Sequence, residues 1–252
     1  MENMLLRGVL APALVLLVSL AARRLGPRAA GQLLGSPTTT GPFLALLCMT
    51  SGTGAAAQAT HGSTTGQLVV AIFTLAYGCL APRLRPALTL LLALGCAAAV
   101  GVVGSLCPSI WLTAALALAV ILAGLLTWPP AQPAAQPTQP TRAWEIPVRM
   151  LLAGATVLAA IAVSALAGSF VGGLLSSLPV LLAVMGPSLH RSAGPTAAAT
   201  MMRGAMAAAT GTIAFLIVLS TTLGPLGPSA AFLLALAAMA IPAPMLRLAT
   251  PR

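Results

Sequence analysis

Apolar residues run along this chain in blocks of about 20, separated by short clusters of Gly, Pro, Ser, Thr and Arg rather than by alternating polar positions. A transmembrane helix needs about 20 mainly apolar residues. Nine stretches meet that length: residues 4–22, 29–49, 54–80, 86–107, 109–128, 147–168, 170–189, 194–223 and 228–248. Pro37 and Pro179 fall inside the second and the seventh. A proline lacks the backbone donor and crowds the preceding turn, so both of these helices are expected to break. Between the fifth and sixth stretches lies PPAQPAAQPTQPTR, which has no apolar period and reads as an extended linker over residues 129–143.

Sliding the sequence over itself by 142 positions aligns residues 1–110 with 143–252 without a gap and gives 25 identities. About 13 would arise by chance in so Ala- and Leu-rich a chain, so the rarer matches carry the signal. They are Arg7 with Arg149, Gly26 with Gly168, Gly31 with Gly173, Pro37 with Pro179, Gly52 with Gly194, Gly62 with Gly204, Phe73 with Phe215 and Pro86 with Pro228. The chain therefore divides into membrane repeat 1 (1–110), an extra helix (109–128), the linker (129–143) and membrane repeat 2 (144–252). The repeat also argues against reading the first stretch as a cleaved signal peptide, because its internal copy at 147–168 cannot be one.

Composition sharpens this picture. Hydrophobic residues make up 59% of the chain and charged residues 6%, against about 25% charged in soluble domains. A soluble globular protein is excluded. The net charge of +10 comes from arginines scattered between apolar blocks, with Glu2 and Glu145 the only acids and no lysine. Nothing interleaves them with aromatics as nucleic-acid binding would require. Arginine clusters occur at every second crossing: Arg23, Arg24 and Arg28, then Arg83 and Arg85, then Arg142 and Arg149, then Arg191 and Arg203, then Arg247 and Arg252. The positive-inside rule then places the N-terminus outside and the linker and C-terminus in the cytoplasm. One odd helix between the repeats makes them enter from opposite sides. The expected fold is an all-α integral membrane protein in a 4+1+4 plan, an inverted-topology repeat of the kind that secondary transporters use.

The chemistry is sparse. Around Pro37 and Pro179, freed carbonyls with Ser36, Thr38, Thr39, Thr40, Ser176 and Ser177 are expected to line a substrate site between the halves. His61 and Arg203 occupy equivalent positions of the two repeats, and Gln58 sits one turn before His61. An ionisable group within a membrane is a candidate for function: Arg203 to hold an anionic group, His61 to exchange a proton. The structural alternatives are a plain proline kink at each break and an arginine that snorkels to the cytoplasmic face. Cys48, Cys79, Cys96 and Cys107 show no metal or disulfide spacing, and no metal, cofactor or catalytic motif is recognised, so an enzyme is not expected.

The segments AGQLLGSP, with Gly52 and Gly62 downstream, and GGLLSSLP, with Gly194 and Gly204, resemble small bacterial membrane proteins of the GlpM type. The resemblance implies two such units fused head to tail over about 220 residues, an architecture rather than an activity. The function expected from the sequence is a small secondary transporter or exporter in a bacterial inner membrane, moving an anionic, zwitterionic or lipid-like solute. A non-catalytic subunit of an export or polysaccharide system and a lipid-modifying membrane enzyme are the alternatives. The expected partners are the bilayer, a small solute, and a second copy or another membrane subunit.

Overall fold

In a computed structural model the described residues are 28, 31–128 and 145–240. The expected first helix (4–22), the linker, and the arginines at 247 and 252 lie outside them. The described residues are helical throughout, with no strand. A short helical segment at 31–35 is followed by α1 (Thr40–Leu80), α2 (Pro86–Ser105), α3 (Ile110–Thr127), α4 (Glu145–Ala167), α5 (Ser169–Ser176), α6 (Val180–Ala193) and α7 (Pro195–Ala238). Five helical spans are long and apolar enough to cross a membrane: Gly31–Leu80, Pro86–Ser105, Ile110–Thr127, Ser169–Ala193 and Pro195–Ala238. On α2 and α3, Leu91, Val102, Val103, Trp111 and Leu126 are exposed, as a lipid-facing surface requires.

Helix occupies eight of the nine expected stretches, the first lying outside the described residues, but nine separate helices are not confirmed. Two expected loops are reduced to a kink, because in α1 and α7 two helical stretches join at a single non-helical glycine, Gly52 (φ 85°, ψ 174°) and Gly227 (φ 74°, ψ 169°). Only glycine adopts such angles cheaply, so one residue does the work of a turn. Gly194, the repeat equivalent of Gly52, has nearly the same backbone (φ 88°, ψ 173°) and separates α6 from α7. The same 142-residue offset thus relates local geometry as well as sequence.

The cores repeat as well. One cluster gathers Phe43, Ala56, Ala59, Phe215, Leu219, Leu223 and Ala235. Another gathers Met185, Ala198, Met201, Phe73, Tyr77, Ala81 and Ala93, each 142 positions from its counterpart in the first. In both, the early part of one long helix meets the late part of the other, so α1 after Gly52 and α7 before Gly227 pack antiparallel. Close approach depends on matched glycines: a Cβ on Gly62 would strike the carbonyl of Phe170, and one on Gly204 the carbonyl of the equivalent residue, Arg28.

The polar stretch of α1 is buried, and its hydroxyls explain how. Thr60, Thr64 and Thr74 donate to carbonyls three or four residues back, at 2.6, 2.8 and 2.8 Å. Such back-bonding satisfies a hydroxyl without water. Ser63 instead donates across to the carbonyl of Gly173 at 3.1 Å, tying α1 to α5.

Candidate functional site

The site begins with two prolines that cannot donate a hydrogen bond. The segment at 31–35 ends just before Pro37, and the chain bends over residues 36–39 before α1 starts. In the second repeat α5 ends at Ser176, and α6 starts after Pro179. Both bends have the same hydrogen bonds. Thr38 N–H donates to Ser36 O at 2.7 Å and Val180 N–H to Leu178 O at 2.8 Å, and then Gly41 N–H donates to Pro37 O and Ala183 N–H to Pro179 O, both at 2.8 Å. A donor two residues ahead of its acceptor, around a central Pro179 at φ −77° and ψ 44°, is an inverse γ-turn. The fixed φ of proline sets it up.

These two bends meet. Thr39 Oγ1 donates to Ser176 O at 3.0 Å, and the hydroxyls of Thr40 and Ser177 lie 2.9 Å apart. Ser176 Oγ donates back to Gly173 O at 2.8 Å, and Ser36 Oγ to Gln32 O at 2.9 Å. Thr212 of α7 reaches Gly35 O at 3.0 Å, so both long helices clamp the breaks. Beside this junction is a cavity of about 30 Å³, room for one or two waters. Ser36, Thr38, Thr39, Ser177 and Pro179 line it, together with Thr40, Gln67 and Thr156. Its lining contains no charged side chain. Pro37 and Ser176 stand next to lining residues without lining the cavity themselves.

His61 and Gln58 belong to a second, wider cavity of about 480 Å³, with Pro108, Ser109, Ile110 and Ser220. His61 packs edge-on against Phe170, ring centroids 5.2 Å apart, and its buried Nε2 has no hydrogen-bond partner among the described residues. Arg203 is half-buried and lines neither cavity. Antiparallel packing explains the separation. His61 and Arg203 each precede the level of Gln67 and its equivalent Ala209 by six residues, about 9 Å along a helix. On antiparallel helices that displacement runs in opposite directions, so equivalent residues lie on opposite sides of the small cavity. The environment of Arg203 mirrors that of His61: where His61 has Phe170, Arg203 has Arg28, the repeat equivalent of Phe170.

Sequence reasoning missed two features. Gln67 was visible only as one member of a polar stretch, and nothing in the pattern indicated which of its members faces a cavity. The buried pair Tyr77 and His190, with Oη and Nδ1 3.4 Å apart, joins residues 113 positions apart on different helices. Their repeat equivalents, Leu219 and Cys48, are not such a pair, so the repeat offered no cue. Among the described residues no group of His, Cys, Asp or Glu could hold a metal ion.

No known protein family matches this chain, and neither a search of curated proteins nor one of solved structures finds a match.

Proposed function

We propose that the chain is a small secondary transporter or exporter of a bacterial inner membrane, built as an inverted-topology repeat of two GlpM-like units and working by alternating access. One observation carries this reading. Two proline breaks with the same backbone hydrogen bonds, one from each repeat, meet beside a small cavity that both of them line, flanked by antiparallel equivalent helices. Broken helices from symmetry-related halves are how transporters build a solute site, because freed backbone polar groups are tolerated at membrane depth only where they line a cavity. The 4+1+4 plan, with the N-terminus outside and the linker and C-terminus in the cytoplasm, completes the reading through the arginine distribution. Of the expected solutes, an anion would have to be held at Arg203 with Arg28 rather than between the breaks. A zwitterionic or uncharged polar solute suits the cavity itself.

The test is accessibility. In a background with Cys48, Cys79, Cys96 and Cys107 replaced, a cysteine at Thr38 should react with an impermeant thiol reagent from either side of sealed vesicles. The reactive side should depend on the solute gradient, and a tag in the 129–143 linker reports orientation in the same preparation. Protection from both sides under every gradient would remove transport and leave the non-catalytic subunit, alone or as a homodimer, as the better reading.

The second cavity favours one rival, a lipid-modifying enzyme with His61 as acid/base. His61→Gln should then abolish turnover of lipid while leaving solute flux intact. Under the transport reading, the same change removes a pH dependence of flux that the imidazole supplies.

A further inference from the structure

Gln67 is a residue that the fold itself does not account for. It is 4% exposed, it lines the cavity beside the two breaks, and its Oε1 accepts no hydrogen bond among the described residues. A buried amide oxygen left without a donor is destabilising, and such groups are rare enough to require a reason. Architecture does not supply one. The repeat equivalent of Gln67 is Ala209, fully buried on α7, so the same helix position packs without an amide.

We infer that Gln67 is the specificity-determining contact for a small uncharged solute that carries a carboxamide or hydroxyl group, bound between the two proline breaks. This rests on reading the cavity as the solute site of a transporter. The amide head can accept at Oε1 and donate at Nε2, and so matches a group that does both. Thr38, Thr39, Thr40 and Ser177 surround it with hydroxyls, which also donate and accept. A full charge of either sign would enter a lining with no counter-charge, and a buried unpaired ion is far costlier than a buried amide. The size agrees: about 30 Å³ takes the polar head of a molecule of a few heavy atoms. A site built to hydrogen-bond one group discriminates strongly against analogues that leave its own polar atoms unpaired.

Acetamide, acetate and acetamidinium have nearly the same shape and carry charges of zero, minus one and plus one, so they isolate charge from size. Ligand-observed NMR on the purified, detergent-solubilised protein should show acetamide bound at least tenfold more tightly than either ion. Gln67→Met should reduce acetamide binding at least tenfold while the protein stays folded by circular dichroism, and Gln67→Glu should shift preference toward acetamidinium. If Gln67→Met does not fold, the shift in Gln67→Glu carries the test. Equal binding of the three probes, no binding of acetamide, or acetamide binding unchanged in Gln67→Met would each overturn the assignment. The readout is binding, so it separates two failures. Acetamide binding without flux in vesicles removes the transport reading and keeps this one. Flux of some other solute without acetamide binding removes this one alone.

Discussion

Replacing Thr40 and Ser177 together by cysteine, in a background without the native cysteines, should lock the protein and stop flux. The two hydroxyl oxygens are 2.9 Å apart and belong to residues 137 positions apart in the chain. Sulfur atoms on longer Cβ–S bonds can close that gap to a disulfide from this starting geometry. A cross-link over so long a loop would stabilise the folded state by about 4–5 kcal/mol on loop entropy, visible as a large rise in melting temperature under oxidising conditions. Alternating access requires the two breaks to separate on at least one side during the cycle. The oxidised double variant should therefore fall to background flux, and reductant should restore it. A disulfide that forms while flux continues unchanged would mean the breaks move as one unit, and the transport mechanism proposed above would be wrong.

The matched glycines should be the most sensitive packing positions. On Gly62 or Gly204, an added methyl would meet a backbone carbonyl, that of Phe170 or Arg28. Backbone cannot swing aside as a side chain can, so α1 and α5, or α7 and the first break, would have to move apart. Such overpacking costs about 1–3 kcal/mol, and Gly62→Ala and Gly204→Ala should each lower the melting temperature by a similar amount. Gly95 serves as the reference, with no atom within 4 Å of the built Cβ, so Gly95→Ala should be neutral or gain up to about 1 kcal/mol from helix propensity. If Gly62→Ala melts like Gly95→Ala, the close packing of the two repeats has been misread.

Much of the fold was legible because a membrane imposes length and apolarity on each helix. The bends at Pro37 and Pro179 could be placed from the missing donor alone, and the 142-residue offset anticipated that they would match. The breaks at Gly52 and Gly227 were expected as loops of several residues, and each is a kink at one non-helical glycine. Their flanking residues look like turn formers in sequence, and only the backbone shows that a single glycine suffices. Of the residues lining the small cavity, Ser36, Thr38, Thr39, Thr40, Ser177 and Pro179 were expected beside the breaks, because hydroxyls beside a proline break have a mechanism. Gln67 was not singled out, because the face a residue presents on a 41-residue helix depends on tertiary packing that apolar periodicity cannot resolve when every face is apolar or hydroxylated. His61 and Arg203 are equivalent in sequence but do not line a common cavity. Antiparallel packing sends them apart.

That last arrangement makes the molecule electrically lopsided although matched segments of its two halves share local backbone geometry. Under the transport reading, a solute crossing in one direction would meet the imidazole of His61 before the small cavity, and the permanently cationic guanidinium of Arg203 after it. In the other direction the order is reversed. Under the transport reading, a duplicated scaffold decorated in this way would be a rectifier: equal and opposite gradients would drive unequal fluxes through it, and the two faces of the membrane would not control it equally.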